Sequence, residues 1–87
     1  MAKLIENVMQ MLAPTIKEKT LSAQMYRLEV YSNEGRILVG TGYVFYHKYG
    51  LTTPTLINHI GEVLAEGWYQ LRVVSDGQLV VMSRSIH

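Results

Sequence analysis

Beside its six glutamates, this 87-residue chain offers three histidines, one aspartate and no cysteine for acid–base or metal chemistry. His47, His59 and His87 are scattered and show no HxxxH-type spacing. His59, Glu62 and Glu66 stand at i, i+3 and i+7, so a helix through them would align an imidazole and two carboxylates, a set able to hold a metal ion. An ordinary solvated helix face carries the same spacing. Asp76 precedes Gly77 and is accounted for by a turn. No serine or threonine sits in a nucleophile elbow or beside a base, and no phosphate-cradling loop is present. Without a thiol there is no disulfide framework and no thiolate metal site. The expectation is a protein that is not an enzyme, with no catalytic residue, no metal and no cofactor.

Stacking chemistry is better supplied. Val39-Gly40-Thr41-Gly42-Tyr43-Val44-Phe45-Tyr46 resembles the aromatic strand motif of RNA-recognition domains, with Gly40, Gly42, Tyr43, Val44 and Tyr46 fitting the pattern. Val39 stands where that family has a basic residue and Thr41 where it has an aromatic. The resemblance implies a sheet face that stacks bases. Arg36, Tyr43, Tyr46, Lys48 and Arg72 are the candidate contacts for single-stranded nucleic acid or a nucleotide, with Arg27 and Arg84 able to join them. The competing reading is that these rings are ordinary sheet residues, favoured there by shape and buried in a core or an interface. A net charge of +1 provides no general basic field and does not mimic a nucleic-acid backbone.

The elements that position these residues are legible as periodicity. Leu4, Ile5, Val8, Met9 and Leu12 recur at helical intervals, and Lys3, Glu6, Asn7 and Gln10 face away from them. Pro14 should end or kink this helix near Leu12, with a short helical continuation over Thr15–Thr20. The apolar stripe serves either the core or a partner. From Met25 the period falls to two: Tyr26, Leu28 and Val30 alternate with Arg27 and Glu29, a half-buried strand. Ser32-Asn33-Glu34-Gly35 is a turn. Arg36 to about Tyr46 is a strand apolar on both faces, with Ile37, Val39, Thr41, Tyr43 and Phe45 on one and Leu38, Val44 and Tyr46 on the other. Such a strand is covered on both sides. His47-Lys48-Tyr49-Gly50 is its exit loop.

Thr53-Pro54 then reads as a helix start, Leu56, Ile57, Ile60, Val63 and Leu64 as its stripe, and Gly67 as its stop. Tyr69–Ser75 and Gln78–Ser83 form a hairpin bent at Asp76-Gly77. Leu56-Ile57-Asn58 through Ala65-Glu66-Gly67-Trp68, with the hairpin ending near Arg84, resembles a family of small uncharacterised bacterial and phage domains. Those have a leucine-bearing helix, an acidic-Gly-Trp turn and a closing hairpin. The family has no activity to carry over, and the resemblance implies a small accessory protein. Trp68 is expected to clamp the helix end onto the sheet, so Trp68→Ala would cost about 3–5 kcal/mol.

Together these give one domain, residues 1–87, of α+β class: a four-stranded, mostly antiparallel sheet with helices packed on one face in the order αββαββ. A chain this short hides only about 60–65 % of its unfolded surface, yet 48 % of its residues are hydrophobic. That excess points to burial between chains. The expected function is a non-enzymatic protein–protein interaction module, a homodimer that binds or inhibits an unidentified partner protein in the manner of a phage accessory factor. Leu4, Ile5, Val8, Met9, Leu12, Tyr43, Phe45 and Trp68 are its candidate contact residues. Nucleic-acid or nucleotide binding is the alternative. No apolar run suits a signal peptide or a membrane span, so the cytoplasm is the expected place.

Overall fold

The computed structural model describes residues 2–19 and 25–87, with side chains for 3–14, 25–80 and 84–87. One helix, α1 (Ala2–Lys19), is followed by six strands: β1 (Met25–Ser32), β2 (Leu38–His47), β3 (Gly50–Leu51), β4 (Ile57–Asn58), β5 (Tyr69–Ser75) and β6 (Gln78–Ile86). All pairings are antiparallel. The order across the sheet is β3-β2-β1-β5-β6, with β4 joining β3 on the far side of β2. The expected four-stranded αββαββ sheet is thereby corrected: the described residues form one helix and are mostly strand.

Several local signals act as their chemistry dictates. α1 presents Leu4, Val8 and Leu12 to the core, where all three are buried. Pro14 lies inside the helix, which continues to Lys19; Thr20 is outside the described residues. In β1, Tyr26, Leu28 and Val30 point inward and alternate with the outward Arg27 and Glu29. The Gly35 N–H donates to the Ser32 carbonyl at 2.7 Å and closes the β1–β2 turn. Asp76 and Gly77 have φ of 51° and 77°, the paired left-handed conformation of a two-residue hairpin.

The second helix does not exist. Residues 52–56 are extended and irregular, and residues 56–64 form a small hairpin. Leu64 N–H donates to the Leu56 carbonyl at 2.7 Å, and Asn58 N–H to the Glu62 carbonyl at 2.9 Å. Asn58 also closes the loop with its side chain, whose Oδ1 accepts the N–H groups of Ile60 at 3.1 Å and Glu62 at 3.0 Å. An asparagine that satisfies backbone donors two and four residues on competes directly with a helix. Gly61, at φ 86°, supplies the left-handed residue. Leu56 and Leu64 are both buried, because facing hairpin arms put them on one side. The spacing of eight that read as two helical turns is a hairpin spacing.

Gly61→Ala separates the two structures by sign. In a helix interior the substitution stabilises by about 1 kcal/mol. At φ 86° it is expected to destabilise by about 1–2 kcal/mol, read as a fall in the urea midpoint.

Gly40 and Gly42 make the seat for this hairpin. A Cβ at Gly42 would lie 2.6 Å from the Thr55 carbonyl oxygen and 3.0 Å from Leu56 Cδ2. At Gly40 it would meet the Ile57 oxygen at 3.1 Å and Leu64 Cδ2 at 3.3 Å. The chain thus crosses the inner face of β2 at a distance only glycine permits.

Two inner-face hydroxyls, Tyr26 Oη and Ser75 Oγ, are buried and find no hydrogen-bond partner among the described residues. The register that sets Arg27 against Val74 brings Tyr26 level with Ser75 one rung on. Burial pushes the Tyr26 phenol above its ordinary pKa, with Tyr46 and Asp76 adding to the shift. Since the hydroxyl gains nothing in the folded state, Tyr26→Phe is expected to leave stability unchanged or raise it by up to about 1 kcal/mol. A loss in thermal denaturation would show that an ordered water bridges the pair.

Candidate functional site

Alternation sorts the sheet into two faces with different fates. The inner face, under α1 and the 52–64 stretch, holds the core of Tyr26, Leu28, Val30, Val44, Leu71 and Val73. Among the described residues no helix covers the outer face. Register aligns its side chains in rows across the strands. Phe45 faces Met25. Tyr43, Arg27, Val74 and Leu79 form the next row, and Thr41, Glu29 and Arg72 the one after. Tyr43, Phe45, Met25 and Leu79 are each between 40 % and 50 % exposed. Met25, Phe45 and Tyr43 make an apolar patch at one end of the face, and Arg27 stands between it and Val74 and Leu79.

The other half of the face is polar, and its charges are already engaged. The Arg27 guanidinium donates to Glu29 Oε2 at 2.7 Å. The Tyr31 hydroxyl donates to Glu29 Oε1 at 3.3 Å and accepts from Arg72 Nη1 at 3.4 Å. Arg72 also lies over the Tyr31 ring, 5.5 Å from its centre. One carboxylate, one phenol and two guanidinium groups form a chain across β1 and β5.

The strand expected to be apolar on both faces is sided differently. Register shifts where β1 passes from Val30 to Tyr31, which pair with Gly40 and Leu38, so Val39 is an extra residue. Leu38 is pushed out into solvent, and Val39 packs on the core instead. The inner face of β2 is Gly40, Gly42 and Val44, and the outer is Thr41, Tyr43 and Phe45.

The expected contact residues separate accordingly. Tyr43 and Phe45 share the open face. Leu4, Val8 and Leu12 are buried in the core, with Ile5 packed beside them and Met9 half-buried. Trp68 is not a clamp between helix and sheet: no helix ends there, and the indole is 58 % exposed. Its ring stacks on His87, centroids 4.0 Å apart and planes 19° from parallel. Asn7 Nδ2 donates to the His87 carbonyl and ties α1 to the same corner. Trp68→Ala is therefore expected to cost no more than about 1.5 kcal/mol, the scale of a ring stack, in chemical denaturation.

The nucleic-acid set does not converge. Tyr43 and Tyr46 are three residues apart on one strand and so face opposite ways. Tyr46 and Lys48 line a groove of about 420 Å³ between α1 and β3, with Met9, Ala13, Tyr49 and Leu51. There the Lys48 ammonium lies 4.9 Å from the Tyr49 ring centre. Arg36 is at the opposite end of β2, in the β1–β2 turn, and Arg72 and Arg27 share the face of Tyr43.

His59, Glu62 and Glu66 lose the helix that would have aligned them, and among the described residues no three histidine or acidic side chains gather as a metal site. Among the described residues, no helix is long and apolar enough to cross a membrane. Sequence reasoning missed Met25 and Leu79 as surface residues. The signal was their register opposite Phe45 and Val74, which a single strand does not display.

No family model, curated protein or solved structure matches this chain.

Proposed function

We propose that this chain is a small, non-catalytic protein–protein interaction module that self-associates through the open face of its sheet. One observation carries the reading: Met25, Tyr43, Phe45 and Leu79 lie on the same uncovered face, each about half exposed. A monomer gains nothing by holding four large apolar side chains in water, whereas a partner surface gains their burial at about 25 cal/mol per Å². Leu4, Val8 and Leu12 of α1 are buried in the core, whereas these four side chains are open to a partner. A phage-type or bacterial accessory factor that binds or inhibits a host protein fits this size and chemistry, and the cytoplasm fits a chain without cysteine. Sedimentation equilibrium is the test. The expected result is a dimer at micromolar concentration that Tyr43→Arg converts to a monomer of unchanged circular dichroism. A wild-type chain that stays monomeric throughout removes the reading.

A second reading has one observation behind it: Tyr43 lies beside Arg27, and Tyr31 under Arg72, on that same face. This is the pairing of ring and cation that single-stranded nucleic acid uses. Against it, Glu29 holds Arg27. Titration of labelled oligonucleotides across a salt series decides. Salt-sensitive binding lost in Tyr43→Ala favours it, and no binding at low salt removes it.

A further inference from the structure

We propose that the groove between α1 and β3 is a binding site for a small aromatic acid, a flat apolar ring system that bears one anionic group. The groove lies apart from the open sheet face, and the proposal does not depend on self-association. Its volume of about 420 Å³ falls within the range of small-molecule sites, about 300–1,000 Å³.

Two elements build its walls. On α1, Met9 and Ala13 are one helical turn apart and so share one side of the helix. Ala13 is exposed, and its single methyl leaves open the space that a longer side chain would fill. The opposite wall is the β2–β3 hairpin. Tyr46 pairs with Leu51 and His47 with Gly50, so Lys48 and Tyr49 are the two residues of its turn. The Tyr49 N–H donates to His47 Nδ1 at 3.1 Å, and the two rings meet edge to face with centroids 5.9 Å apart. These contacts fix the turn, so Lys48 and Tyr49 stand at the rim before any ligand arrives, and less order is lost on binding.

The lining selects the ligand. Tyr46 and Tyr49 offer aromatic rings and Met9 a polarizable thioether, a combination that favours a ring over an alkyl chain. Lys48 carries the only charge among the lining residues. Its ammonium has no ion pair among the described residues and rests over the Tyr49 ring, 4.9 Å from the centre. Arg27 differs, since Glu29 already holds it at 2.7 Å. An ammonium on a ring keeps its N–H donors for an anion. A cation beside apolar walls, with no acid facing it, is complementary to an apolar body with a negative group. One cation matches one such group, and the polyanionic backbone of a nucleic acid would find no second cation among the lining residues.

Titration with anilinonaphthalene sulfonate, an aromatic acid whose emission rises in apolar sites, tests the assignment. Phenyl naphthylamine, the same ring system without the sulfonate, is the uncharged control. Saturable binding of the sulfonate at one site per chain is the expected result. Lys48→Met is expected to weaken it about fivefold, the scale of a partly exposed ion pair, and to leave the uncharged probe within about twofold. Ala13→Phe, which fills the floor of the groove, is expected to remove both probes. Both positions are exposed, so the circular dichroism of either variant is expected to match the wild type. Equal sulfonate affinity in Lys48→Met and the wild type overturns the proposal. Binding that survives Ala13→Phe and is lost in Tyr43→Ala puts the probe on the sheet face and overturns it too, as does the absence of saturable binding.

Discussion

Gly42→Ala is expected to cost about 3 kcal/mol in a urea titration, and Gly42→Val to leave the chain unfolded. The reason is a backbone atom. A β-carbon at this position would lie 2.6 Å from the Thr55 carbonyl oxygen, well inside contact distance, and 3.0 Å from Leu56 Cδ2. A flexible side chain could swing away from an intruding methyl, but a carbonyl cannot move without carrying Pro54 to Leu56 with it. Overpacking in a tight core costs about 1–3 kcal/mol, and a backbone obstacle belongs at the upper end. A domain of this size has a net stability of only about 4–13 kcal/mol, so valine's two further methyls exceed what it can absorb. Gly40→Ala is the internal comparison. Its nearest atoms are at 3.1 Å and 3.3 Å, and one belongs to the mobile end of Leu64, so a smaller loss is expected. Equal midpoints for Gly42→Ala and wild type would mean that residues 55–57 do not cross β2 where the structure has them.

Leu56→Ala is the second large effect, at about 3–4 kcal/mol. Leu56 is 1 % exposed, within the core that α1 and the inner sheet face share. Truncation removes its transfer energy and leaves a cavity that the glycine seat beneath cannot close. Ile60→Ala makes the measurement diagnostic. Ile60 is 64 % exposed at the hairpin tip, so its truncation is expected to change stability by less than about 0.5 kcal/mol. In an amphipathic helix both residues would belong to one buried stripe and would cost alike. The ratio of the two losses, from paired denaturation curves, therefore reports which structure residues 52–64 adopt.

Those residues are also where local reading and structure part. Leu56, Ile57, Ile60, Val63 and Leu64 satisfy a helical period, and Thr53-Pro54 satisfies a helical start. A nine-residue hairpin with both ends turned inward produces the same list. The local objections were there: β-branched residues over Thr52–Thr55, Asn58 able to hold its own turn, and Gly61 mid-stripe. None outweighs a period by itself. The deciding partner is Gly40-Gly42, at least thirteen residues upstream of Thr55, whose missing side chains let an extended segment lie flat on β2. The sidedness of β2 is a similar case. Alternation was legible, but the extra residue at Val39 arises from pairing with β1 and reverses which of Leu38 and Val39 is buried.

The candidate site was legible to the same extent. Tyr43 and Phe45, two apart on a strand, share a face by geometry alone, and that face is the open one. Met25 and Leu79 join them only because register places β1 and β6 alongside, a relation between segments about 20 and 35 residues away along the chain. Leu4, Val8 and Leu12 made an apolar stripe on any reading; that it is core and not contact surface follows from where α1 lies on the sheet.

By itself, then, the amino-acid order determined what nearest neighbours can enforce: the first helix, the alternation of β1, and the Asp76-Gly77 hairpin. Each rests on dihedral preference or on a period that one segment displays alone. Tertiary structure decided whether residues 52–64 coil or fold back, where Val39 slips out of register, that Trp68 rests on His87 in solvent, and which sheet face stays bare. Those outcomes depend on distances between segments remote in sequence, and a contact between remote segments leaves no mark on the local period of either.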